Sequence, residues 1–146
     1  MTMTYHRILV GVDGSELAHK AFEQAVEVAK RNDAELFIAH VIANDNFISP
    51  DASIYAKMIT MEKDRVKEQL AANVRYANNH GLQKVTPILT VASPKKEIAI
   101  RIPEEYQIDL IMLGITGKGV IERMLMGSVA QYVSVHAKAN VLLVKG

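Results

Sequence analysis

A chain of 146 residues with 49% hydrophobic content can bury a core without staples, and a single domain over residues 1–146 is expected. Charged residues make up 23% and nearly cancel to a formal +1, which speaks against the dense basic face of a general nucleic-acid binder. Zero cysteines exclude disulfides, thiolate metal sites and cysteine nucleophiles and fit a reducing, cytoplasmic address; no apolar run approaches the roughly 18 residues of a membrane helix, and the N-terminus MTMTYHRILV lacks the pattern of a leader.

Arg7 to Val12 is short, apolar and β-branched, and Asp13-Gly14 stops it, which predicts a buried strand ending in a turn. From Ser15, a plausible N-cap, apolar residues at Ala18, Ala21, Phe22, Ala25, Val28 and Ala29 keep helical spacing to about Lys30. Ala34 to Ile42 is the nearly continuous apolar run of a strand covered on both faces. Asn44 to Ser53 is polar and reads as a surface loop. Tyr55, Ile59, Val66, Leu70, Val74 and Ala77 then mark one face of a long helix over about Ile54 to Asn79, closed by His80-Gly81, with Glu62, Lys63, Asp64 and Arg65 mostly on the opposite face.

Lys84 to Val91 alternates apolar and polar residues and reads as a third, less buried strand. Ser93-Pro94 opens a helix with Ile98, Ala99 and Ile102 on one face, and Pro103 requires that helix either to stop near Ile102 or to kink. Ile108 to Leu113 is the fourth strand. A last helix begins near Gly127 or Ser128 with Val129, Tyr132, Val133 and His136 on one stripe, and Asn140 to Lys145 is the fifth strand. Strands alternating with helices at these lengths call for an α/β fold: a doubly wound, five-stranded parallel sheet with helices on both faces. Ligands of such sheets sit beyond the C-terminal strand ends, where the connections diverge.

Between the fourth strand and its helix lies GITGKGVIERMLMGS, residues 114–128, with glycines where a strand stops and Gly127-Ser128 where a helix starts. Bare amides at a helix N-terminus suit an anion such as a phosphate. A side chain at Gly114, Gly117 or Gly127 would occupy the phosphates' space or demand an unfavourable positive φ. No glycine satisfies a Walker A loop, and the first turn, Gly11-Val12-Asp13-Gly14, lacks the dinucleotide fingerprint. The same glycines and serine could also do no more than shape a connection.

The spacing that is present, Gly114, two residues, Gly117, nine residues, then Gly127-Ser128, resembles the universal stress protein family. The resemblance extends to ILVGVDGSELA in the first strand and turn, AHVI in the second strand, IDLIMLG before the motif and VLLVKG at the end. It implies strand order 3-2-1-4-5, a Rossmann-like fold of the adenine nucleotide alpha hydrolase type, and commonly a dimer. It also implies ATP or AMP in the crevice between strands one and four. Carried over by position, Gly11, Val12 and Asp13 would flank adenine and ribose, and Val41 would give backbone contacts to the base. Gly114 and Gly117 would let the loop approach ribose and phosphates, while Gly127, the Ser128 hydroxyl and amide and the Val129 amide complete the site. Asp13 would orient the ribose or act through a divalent ion such as Mg2+ carried with the nucleotide, or it is merely a turn-former. Ile115, Gly119, Ala92 and Asn140 depart from the family's usual residues.

Met112 is a candidate neighbour of the adenine, whereas Met58, Met61, Met124 and Met126 read as core or loop packing. Lys118 and Arg123 could neutralise phosphate charge but read more simply as solvated, and Glu122 and Asp109 form no evident carboxylate pair. The five histidines, His6, His19, His40, His80 and His136, lack metal-ligand spacing, so no metal site built from protein ligands is expected. No nucleophile with an adjacent base can be assembled, and binding is expected rather than fast turnover, with slow ATP hydrolysis at most. Asn140 to Lys145, expected at a sheet edge, is a surface for pairing with a second copy. A dimeric interaction module whose nucleotide turn is vestigial is the alternative reading.

Overall fold

The computed structural model describes residues 4–47, 49–117 and 125–146. Its strands are β1 (Arg7–Gly11), β2 (Glu35–Ala43), β3 (Val85–Ala92), β4 (Leu110–Gly114) and β5 (Asn140–Val144). They form one parallel sheet in the order β3-β2-β1-β4-β5, as the resemblance implied. Side chains alternate across a strand, so the apolar runs feed two cores at once. Ile8 and Val10 pack with Phe22, Ala25 and Val26 of helix α1 (Glu16–Asn32) and with Val66 and Leu70 of α2 (Ala52–Asn79). On the other face Leu9, Phe37 and Ile111 pack with Ile98 and Ile102 of the third helical segment and with Val133 of α5 (Ser128–His136). A strand buried from both sides has no polar face to show, which is why β1 is apolar throughout Ile8 to Val10.

Helix α1 starts where expected: the Ser15 hydroxyl accepts from the Ala18 amide at 3.2 Å. It ends at Asp33, in the left-handed region at φ 52°. Part of the expected loop after β2 takes regular structure. Asn44–Asn46 form a 3-10 turn, Phe47 packs against the core, and Asp51 caps α2 two residues earlier than the apolar pattern indicated. The Asp51 carboxylate accepts from the amides of Ser53 and Ile54 and from the Ser53 hydroxyl, which hold its pKa below the ordinary value, the Ser53 hydroxyl first. The first turns of α2 stand clear of the core: Met58 and Met61 are exposed, contrary to the packing role expected of them.

Pro103 neither stops the third helix nor simply kinks it. The chain runs from α3 (Pro94–Lys96) through a π-helical turn (Glu97–Arg101) into α4 (Ile102–Tyr106). The Ile102 amide reaches back five residues to the Glu97 carbonyl. This shift of hydrogen-bond register places the proline at the start of a new helical stretch, where its missing N–H is tolerated. Pro87 is accommodated by the same kind of logic. The Leu36 amide bonds to the Lys84 carbonyl, so even-numbered positions of β3 face β2 and position 87 faces the open edge.

Asp109 proves structural: its carboxylate accepts from the amides of His6 at 2.8 Å and Arg7 at 3.1 Å and so holds the start of β1 against β4. Among the described residues no helix is long and apolar enough to cross a membrane. Phe22 is fully buried at the centre of the first core, so Phe22→Ala is expected to destabilise the fold by about 3–5 kcal/mol, read as a shift of the urea unfolding midpoint.

Candidate functional site

The connection after β1 goes to the face carrying α1, and the connection after β4 goes to the face carrying α5. The two paths diverge and leave a crevice at the C-terminal edge of the sheet. Strand length shapes it further. Pairing of β1 with β2 ends at Gly11 opposite Ala39, followed by one bond from the Val12 amide to the Ala39 carbonyl at 2.9 Å. Strand β2 continues for four more residues, paired with β3 as far as Ala43 opposite Ala92. Odd-numbered residues of β2 face β1, as the bond from the Glu35 amide to the His6 carbonyl establishes. The N–H and C=O of Val41 are therefore turned toward β1 at a level where β1 has already ended.

The glycine turn is pinned at its described ends. The Ile115 amide bonds to the Val144 carbonyl at 2.9 Å, and the Gly127 amide bonds to the Ile115 carbonyl at 2.7 Å. Helix α5 starts at once, with Gly127 as its cap and a first helical bond from the Gln131 amide to the Gly127 carbonyl. The amides of Ser128, Val129 and Ala130 precede that bond, so the helix supplies them with no acceptor. All three residues border the crevice.

The reason for glycine here is space rather than left-handed backbone. Among the described residues positive φ at glycine occurs at Gly14 and Gly81, not in the turn. A Cβ on Gly117 would lie 2.5 Å from Oδ2 of Asp13, and one on Gly127 would lie 3.2 Å from the Thr116 Cα. Asp13 is itself oriented, because its Oδ1 accepts from the Ser15 amide at 2.9 Å.

Together these elements enclose a cavity of about 350 Å³. Gly11, Val12, Asp13 and Val41 line it from the β1 and β2 side, and Gly114, Gly117, Gly127, Ser128 and Val129 from the β4 and α5 side. Met112 does not belong with them. It is fully buried and packs into the first core with Val10 and Phe22, because alternation along β4 turns it away; Leu113, one residue on, forms the wall. Lys118, Gly119, Glu122, Arg123 and Met124 lie outside the described residues.

Sequence reasoning missed several neighbours. Phe47, Glu62 and Arg65 also line the cavity, as do Ile42, Ala43 and His40, which is 6% exposed. Glu62 and Arg65 looked like members of a solvated helix face; their spacing of three signals an ion pair, but nothing local says that this turn of α2 overhangs the sheet. The Arg65 Nε donates to Glu62 Oε2 at 3.1 Å and its Nη2 donates to Oε1, and this carboxylate holds the guanidinium pKa above its ordinary value. Among the described residues no group of three His, Cys, Asp or Glu is placed to hold a metal ion.

A parallel 3-2-1-4-5 sheet with a glycine-rich turn leading into α5 defines a Rossmann-like class, and the comparisons narrow it. The universal stress protein family model matches residues 4–145, and the chain belongs to that family. A proposed universal stress protein of Staphylococcus aureus (strain USA300) is 38% identical over 144 residues, covering 98% of this chain and 86% of the relative. The solved universal stress protein UspA from Lactobacillus plantarum superposes with a TM-score of 0.90 at 28% identity, covering 98% of this chain and 99% of that one. A universal stress protein solved in complex with cAMP has a TM-score of 0.71 at 26% identity, with 98% of each chain covered.

The close approach of Gly117 to Asp13 gives a test of the turn. Gly117→Ala is expected to destabilise the protein by about 1–3 kcal/mol, as overpacking does. Adding Asp13→Ala should recover most of that loss, a coupling measurable by a double-mutant cycle of unfolding free energies.

Proposed function

We propose that this protein binds an adenine nucleotide, ATP or AMP, in the crevice between β1 and β4 and acts in stress response or signalling through the bound state. The observation that carries the reading is the facing pair of backbone features: the open edge of Val41 on β2 and the N-terminal amides of α5 behind β4. Strands β2 and β4 are separated by β1 alone, so their ends stand about 10 Å apart, two strand spacings. Such a span suits a ligand with a flat hydrogen-bonding base at one end and an anion at the other. The Val41 carbonyl would accept from the adenine amine while its amide donates to the ring nitrogen beside it. The amides of Ser128 and Val129, the Ser128 hydroxyl and the positive end of the α5 dipole would hold phosphate.

Further support comes from the relative solved with cAMP, whose ligand carries the same base and a phosphate. Gly11, Val12 and Asp13 would lie along the ribose, with Gly114 and Gly117 allowing close approach from the other side. If Mg2+ arrives with the phosphates, the Asp13 carboxylate is the lining oxygen ligand placed beside the turn, and the ion would supply charge neutralisation there. The chemistry of the lining favours holding a nucleotide over consuming it, with slow hydrolysis at most.

The quaternary reading is a homodimer through Asn140 to Lys145. Strand β5 is a sheet edge and Leu142 on it is 39% exposed, so its outer backbone groups are open to a second copy. A cytoplasmic address is part of the same proposal, in keeping with a chain that has no cysteine.

Denaturing the purified protein and identifying what it releases tests site and ligand together: ATP or AMP near one per chain is expected. No released nucleotide together with no saturable ATP or AMP binding would overturn the reading. Gly127→Val should abolish binding while leaving the dimer mass unchanged in light scattering. Full binding by that variant would contradict the site, and a wild type that dimerises without binding either nucleotide would favour the interaction module.

A further inference from the structure

The N–H and C=O of Val41 both point toward β1, in the hydrogen-bonding direction of the sheet. A flat base paired with the two of them is held by two bonds in that plane, so its ring continues the sheet and its two faces look toward the two helical layers. On one side the cavity is bordered by Ile98, a member of the core that packs against α5. On the other it is bordered by Phe47, which packs on the core formed with α1 and α2. The chain keeps Phe47 at this end of the sheet: β2 stops at Ala43, two residues past Val41, and the 3-10 turn Asn44–Asn46 follows at once. At about 2 Å of rise per residue, Phe47 stays within about 8 Å of Ala43. Among the described lining residues it is the one phenylalanine, tyrosine or tryptophan ring. Among the described residues Phe22 and Phe37 each lie against another aromatic ring, whereas Phe47 lies against none.

We propose that Phe47 is the stacking platform for the nucleobase, with Ile98 against the base's other face, an inference that rests on the nucleotide reading of the cavity. Every base has a π-face, and an aromatic side chain laid against it adds affinity without reading the base's edges. In this arrangement Val41 reads the edge, the start of α5 takes the anion, and Phe47 and Ile98 cover the faces. Covering the faces also excludes water from the two hydrogen bonds to Val41, which strengthens them. Phe47 is half-buried, so part of its ring serves the first core and the remainder is left to the cavity. A ring that served the core alone could be replaced by a branched aliphatic side chain with no effect on a ligand.

Phe47→Leu keeps an apolar side chain on the core and removes the ring, whereas Phe47→Tyr keeps the ring. Isothermal titration of ATP into the full chain and both variants compares them, with thermal melts confirming that each folds. Phe47→Leu is expected to weaken ATP binding about tenfold, the scale of one base–aromatic stack, and Phe47→Tyr to retain most of the wild-type affinity. The chain holds no tryptophan, so the emission of Phe47→Trp reports on this position alone. ATP and adenosine should both quench it, and inorganic tripolyphosphate should not. An ATP affinity unchanged in Phe47→Leu, an equal loss in Phe47→Tyr, or an emission of Phe47→Trp that saturating ATP leaves unchanged overturns the inference while leaving nucleotide binding intact. Quenching by tripolyphosphate as strong as by ATP overturns it as well. A wild type that binds no nucleotide overturns both readings.

Discussion

Strand β1 stops four residues before β2 does, and the rest of the candidate site depends on that difference. Had pairing continued past Gly11, the backbone of Val41 would have been consumed by the ladder and the crevice closed. The stop follows from Asp13 and Gly14: the aspartate oxygen captures the Ser15 amide and Gly14 takes φ 86°, so the chain leaves the sheet for α1. A turn chosen to start a helix thus also leaves a neighbouring strand with unsaturated backbone facing a cavity.

The opposite wall works by a complementary device. The bond from Gly127 to Ile115 ties the start and end of the glycine turn together, so α5 begins at the crevice and its first residues Ser128, Val129 and Ala130 border it. Asp13 reaches across to Gly117, and a Cβ at position 117 would displace the Asp13 carboxylate. Preorganisation of this kind requires few side chains, which explains why glycine, alanine and valine make up so much of the lining. Helix α2 adds the paired side chains of Glu62 and Arg65 to the same lining.

Much of this was legible along the chain. The periods of the apolar residues place all five strands and the long helices within a few residues, because each element must bury its own stripe or both its faces. The phosphate-suited turn was legible because glycine next to a helix start is a local signal. Met112 was misplaced, since identity alone does not state which way a strand residue points; its fate was set by the alternation that puts Leu113 on the cavity side. Pro103 was read as an interruption, and the third helix continues past it because a π-helical turn absorbs the missing donor.

By itself, then, the amino-acid order determined which segments are strands and helices, that both faces of the sheet are covered, and that glycines 114, 117 and 127 belong to a turn between β4 and α5. Those properties depend on contacts between near neighbours and on burial, which composition and period encode. Only the tertiary structure decided that β1 ends short of β2, that Asp13 meets Gly117 across the crevice, and that Glu62 and Arg65 reach the cavity although they belong to a helix face marked as solvated. Each of these is a relation between elements far apart in the chain, fixed by the register of the sheet and by where α2 crosses it, and no local pattern carries that information.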